Sequence, residues 1–121
     1  MASSGDRDLA FLFGMLAAVL LLVEGVIDFF GGFVLLAFGS GVHALGAWDR
    51  SVIDVVVGLV VGLFAFLGRS GTSDRTLAAG VVLVVLAIVG WFGLGFSNGV
   101  LALVAALFSL IAGVLYVVAA R

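Results

Sequence analysis

From Leu9 to Phe29 the chain reads LAFLFGMLAAVLLLVEGVIDF, and the only charges in that run are Glu24 and Asp28. A helix that crosses a bilayer needs about 20 mostly apolar residues. The run meets that length, so it predicts a transmembrane span rather than a soluble core helix. Its two acids are what the functional argument turns on.

The rest of the chain repeats the pattern. Further apolar runs cover about 52–68, 77–96 and 100–120, separated by Asp49-Arg50-Ser51, by the polar stretch 69–75 and by Ser97-Asn98-Gly99. The fold class expected is all-α: an integral membrane four-helix bundle forming a single domain over 1–121, with spans at about 9–29, 52–68, 77–96 and 100–120. Residues 31–48 are harder to place. They hold Phe33-Val34-Leu35-Leu36 but are diluted by Gly32, Gly39, Ser40, Gly41 and His43. The expectation is an interfacial or re-entrant segment between the first two spans, with Trp48 at headgroup level. The alternative is a fifth span turned at Gly31-Gly32.

Composition agrees with a lipid solvent. The 121 residues are 65% hydrophobic and 10% charged, with a net charge of −2, whereas soluble domains carry roughly 25% charged residues. No cysteine, lysine or proline is present, and His43 is the single histidine. Disulfides, thiolate metal sites, Schiff bases and histidine-paired nucleophiles are therefore excluded within one chain. No cofactor or metal is expected, no enzyme, and no nucleic-acid partner, since basic clusters are lacking. The N-terminal head lacks a positive run and its apolar stretch is too long for a signal core, so it reads as a retained span.

Arginine placement favours four spans. Arg7, Arg69, Arg75 and Arg121 then share one side and Arg50 stands alone on the other. Positive residues are retained in the cytoplasm, so the expectation is a cell-membrane protein with both termini cytoplasmic. The two halves also read as tandem hairpins. Phe13-Gly14 parallels Ala79-Gly80, and Gly58-Leu59 with Gly62 parallels Ser109-Leu110 with Gly113.

Glu24 and Asp28, four residues apart, share one helix face. Leu21, Ala17 and Gly14 continue that face, and small residues let helix backbones approach. The acids are therefore expected to point at protein. In lipid each would cost about 2.5–3.5 kcal/mol. At 1.5 Å per residue from Leu9, Glu24 lies on the order of 22 Å along the helix and Asp28 about 28 Å, near the outer edge of a 30 Å core. In the second span Asp54 continues into Gly58, Gly62 and Ala65. Antiparallel packing of the two stripes gathers Glu24, Asp28 and Asp54 at the outer end, with Arg50 as counter-ion to Asp54 or Asp28. Three acids against one arginine leave negative charge that a proton, a cation or a partner must meet. The plain alternative makes Asp28 and Asp54 interfacial residues in water. His43 reads as a surface residue. Gly58, Gly62, Ala105, Ser109 and Gly113 form small-xxx-small ladders that pack helices, and Trp91 and Tyr116 read as belt residues or pocket walls.

In outline the chain resembles the small multidrug resistance transporters, which are short, have four spans and place a glutamate in the first. The resemblance implies that Glu24 binds protons and cationic drugs. The sequence departs from that pattern at Val23, where alanine is expected, at the added acid Asp28, and in its lack of lysine and proline. Two functions follow from the residues. One is a structural or accessory subunit that forms a homo-oligomer or joins a larger membrane complex. The other is a proton- or cation-coupled transporter using Glu24.

Overall fold

The computed structural model describes residues 4–70, 72–93 and 100–120, with the side chains of Ser4, Ser70, 91–93, Val100 and Ala102 left aside. Among the described residues the chain forms four α-helices: α1 Ser4–Ala37, α2 Gly41–Ser70, α3 Ser73–Gly93 and α4 Val100–Ala119. α1, α2 and α3 are long and apolar enough to cross a membrane. The apolar stretch of α4, Leu103–Ala119, is shorter, at the low end of the roughly 17–25 residues that span. The expected break at Ser97-Asn98-Gly99, the end of the third span at 94–96, the Trp91 side chain and Arg121 lie outside the described residues.

One expectation is corrected. Residues 31–48 do not form a segment separate from the spans: α1 continues to Ala37 and α2 starts at Gly41, so they are the helical tip of one long hairpin. In apolar surroundings backbone groups must be satisfied internally, which favours continuing the helix up to a defined stop. That stop is Gly39, whose φ of 81° costs glycine nothing. Its N–H donates to Leu36 O at 3.0 Å and the Ser40 N–H to Leu35 O at 2.9 Å, the paired bonds of a Schellman cap. Ser40 then opens α2, its hydroxyl 2.7 Å from His43 Nδ1. Gly31-Gly32 does not turn the chain. Gly32 stays helical beneath the Trp48 indole, which a Cβ there would strike, and Trp48 Nε1 donates to Phe29 O at 3.1 Å. At the other end Thr72 caps α3, its hydroxyl accepting from Arg75 N at 3.4 Å.

Each helix packs along two others: α1 on α2 and α4, and α3 on α4 and α2, while α2 and α4 barely touch. Of the buried positions of α2, Ala44, Ala47, Ser51, Asp54, Gly58, Val61, Ala65 and Gly68 alternate in steps of three and four, with Val57 buried beside them. That is the 3.5-residue period of helices wound about each other. The core is small-residue packing around a few large side chains, chiefly Leu21, Val61, Leu83 and Tyr116.

The halves correspond at most of the described seam positions, though the buried Ala18 and Val57 map to the half-buried Val84 and Phe108. Adding 66 to the buried α1 residues Ala10, Gly14, Ala17 and Leu21 gives Thr76, Gly80, Leu83 and Ala87, all buried. Adding 51 to Asp54, Gly58, Val61, Ala65 and Gly68 gives Ala105, Ser109, Ala112, Tyr116 and Ala119, also all buried. Contacts follow the same shifts. Gly14 meets Ala65 as Gly80 meets Tyr116, and Ala18 meets Gly62 as Val84 meets Gly113.

The hairpins differ in length. Gly14 abuts Ala112 while the neighbouring Gly113 abuts Gly80, which sets Gly14 and Gly80 level. Beyond that level α1 runs to Ala37 and α3 only to Gly93. The α1–α2 tip therefore stands about 15 Å past the described ends of α3 and α4, at 1.5 Å per residue.

Candidate carboxylate site

The seam between α1 and α2 positions the acids. Its close approaches run Gly14 to Ala65, Ala18 to Gly62, Leu21 to Gly58 and Gly25 to Asp54. At Gly25 the approach is closest to the acids. A Cβ there would sit 2.7 Å from Val55 and 3.2 Å from Ser51 O, so only glycine lets α2 come this near. The buried Ser51 hydroxyl donates to Gly25 O at 2.6 Å and fixes the register. Asp54, one turn further along α2, is thereby set against Glu24 and Asp28. One carboxylate oxygen from each of the three lies within 4.8 Å of the others.

Asp54 is buried, with 5% of its surface exposed, and Glu24 and Asp28 are half-buried. The trio sits towards the hairpin-tip end of the bundle, since Glu24 is level with Gly90 by the correspondence of the halves, three residues before the described end of α3. Three like charges this close repel unless something neutralises them. Arg50 is exposed on α2 and, among the described residues, makes no ion pair within 4.0 Å with Asp28 or Asp54; the pair that does form joins Arg69 to Asp8 at 3.4 Å, at the opposite end. A donor set of carboxylate oxygens suits a proton or a hard cation such as magnesium, calcium or sodium, and does not suit zinc or copper.

The expected packing residues lie on the seams. Gly14, Gly58 and Gly62 make the α1–α2 contacts above, and Ala17 is fully buried beside them. Ser109 donates to Leu83 O at 3.0 Å. Gly113 faces Gly80 O at 2.7 Å and the Val84 backbone, measured from the Cβ it lacks. Tyr116 is neither belt nor pocket wall; it is buried against Gly68 and Gly80, and its hydroxyl donates to Ala65 O. Sequence reasoning missed Gly25, Gly32 and Gly68. The signal was present, because Gly14, Ala18, Leu21, Gly25, Asp28 and Gly32 continue one stripe in alternating steps of four and three.

No protein-family model, curated protein or solved structure matches the chain.

Proposed function

We propose that the protein is a multi-pass membrane protein of the cell membrane, a four-helix bundle with both termini cytoplasmic, built as two duplicated hairpins. In this reading it is a small structural or accessory subunit, a binding and assembly protein rather than an enzyme. It packs against itself or a larger membrane partner, and Glu24, Asp28 and Asp54 meet a basic side chain of that partner. The observation behind the reading is the carboxylate trio itself, with which the nearby Arg50 makes no ion pair within 4.0 Å. The apolar outer face of α1, with a shallow groove between Val19, Leu22, Val23, Val26 and Ile27, supports contact with lipid or a neighbouring helix.

Purification from native membranes in mild detergent tests this. The intact chain is expected to run as a defined assembly, and Glu24→Gln to insert normally yet lose it. A lone chain in both samples sinks the subunit reading.

A second reading is favoured by the spacing of the three oxygens, which suits one shared proton or cation. The protein is then a small coupled transporter with Glu24 as ion site. It requires proton- or cation-linked flux in liposomes that Glu24→Gln stops, and silence from well-reconstituted wild type ends it.

A further inference from the structure

Among the described residues the tip of the α1–α2 hairpin stands clear of α3 and α4, and none of them covers its outer surface. We propose that this tip is a lipid-binding surface, seated in the headgroup and upper acyl layer of the leaflet opposite the termini. The inference rests on the membrane reading above and adds to it where the tip lies and what covers it.

The shape of the apolar surface argues for lipid. Along the lower part of α1 the exposed residues Leu9, Leu12, Leu16, Val19 and Val23 fall in a single stripe, roughly 100° wide at 100° per residue. At the tip Phe30, Phe33, Val34 and Leu36 are exposed and spread over roughly 160° of the same helix, and Phe38, just past its end, is exposed too. Across the turn Val42 and Leu45 are exposed too. A folded partner covers one face of such a projection. A fluid apolar medium covers every side.

Chemistry and length point the same way. Between Asp28 and Asp49 the chain has no Asp, Glu, Lys or Arg, so the tip has no charge for a protein partner to read. Trp48 forms edge-to-face contacts with Phe33 at 5.4 Å, and Phe33 with Phe29 at 5.1 Å, placing an aromatic cluster where belts form. From Leu9 to Phe38 the helix measures about 44 Å. That exceeds a 30 Å hydrocarbon core and matches the 40–45 Å of a bilayer with its headgroups. A tilt of roughly 30°, inside the range of known spans, sets Trp48 at the edge of the hydrocarbon and Phe38 among headgroups.

The full chain carrying Trp91→Phe, which leaves Trp48 as its sole indole, tests this in phosphatidylcholine vesicles. The lipids carry bromine either near the glycerol or near the chain ends. Trp48 emission is expected to be lost most with shallow bromine and less with deep bromine. A second variant, Phe38→Cys in this cysteine-free chain, carries a nitroxide expected to meet oxygen more readily than a water-soluble nickel chelate. If the chain floats with the vesicles yet bromine at neither depth quenches Trp48, the inference is overturned: acrylamide quenching then puts the tip in water, and its absence means protein covers it. Failure to float overturns the membrane reading itself.

Discussion

Gly62 and Gly113 are equivalent in the two hairpins and lie in the same kind of small-residue ladder, yet the structure gives them opposite responses to alanine. At Gly62 a Cβ would meet only Ala18 Cβ, at 3.4 Å, an ordinary contact. At Gly113 it would sit 2.6 Å from Val84 Cγ2, 2.7 Å from Gly80 O and 2.8 Å from Val84 N. Two of those atoms are backbone, so α3 and α4 must part by about 0.7 Å to restore ordinary contact. A gap of that size forfeits a quarter to a half of each dispersion well along the seam. Overpacking of this kind costs about 1–3 kcal/mol, and it also stretches the 3.0 Å bond from Ser109 to Leu83 O one turn away. Gly62→Ala strains nothing and gains up to about 1 kcal/mol of helix propensity. Unfolding of the two variants by SDS in mixed micelles, followed by near-ultraviolet dichroism, is expected to separate them by roughly 2–3 kcal/mol, with Gly113→Ala the weaker. Equal losses, or a larger loss at Gly62, would refute the packing described for α3 and α4.

Tyr116→Phe removes the hydroxyl that ties α4 to Ala65 O of α2; the same unfolding assay is expected to show a loss of about 0.5–1.5 kcal/mol. Arg69→Gln breaks the pair with Asp8 and the cation–π contact with Phe11 at 4.5 Å. Both charged groups are at least half exposed, so a loss below about 1 kcal/mol is expected, and a larger one would mean that end is drier than described. Gly32→Ala drives the Trp48 indole off α1. In the Trp91→Phe background its emission should shift, while the helix content measured by far-ultraviolet dichroism stays the same.

The parts of the fold that rest on period and composition were readable without coordinates. Stripes of Gly14-Ala17-Leu21 and Asp54-Gly58-Gly62 face each other because small residues at helical spacing have one low-energy use between long apolar helices. The three carboxylates come together for the same reason, as each lies on one of those stripes. The continuity of the tip with its flanking helices is not legible in its glycines. Gly31 and Gly32 lie within a helix, while the actual stop, Gly39, has a positive φ; Gly31 and Gly39 both have open space where a Cβ would be, and only Gly32 lies under a neighbour, Trp48. Sequence carries no mark of that difference until Trp48 is known to lie on Gly32. Among the described residues Arg50 makes no ion pair within 4.0 Å with Asp28 or Asp54. One turn before Asp54 does not place Arg50 on the buried face, and it points outward.

The correspondence between halves separates what the fold needs from what the acids do. Position 54 of α2 maps to Ala105 of α4, which is fully buried and packs without a polar atom. Position 24 of α1 maps to Gly90 of α3, also buried. The second hairpin thus shows that small apolar residues close these seam positions. In the first hairpin the same positions hold carboxylates, each carrying a penalty on the order of 2.5–3.5 kcal/mol inside a membrane. On the proposed function the acids at these positions serve what they bind rather than the seam. If the seam itself needed the acids, Asp54→Ala would destabilise the protein; copying the second hairpin, it is expected to leave unfolding unchanged or raise the stability. A variant stabilised in this way that still bound its proton, cation or partner would break the link between the trio and function.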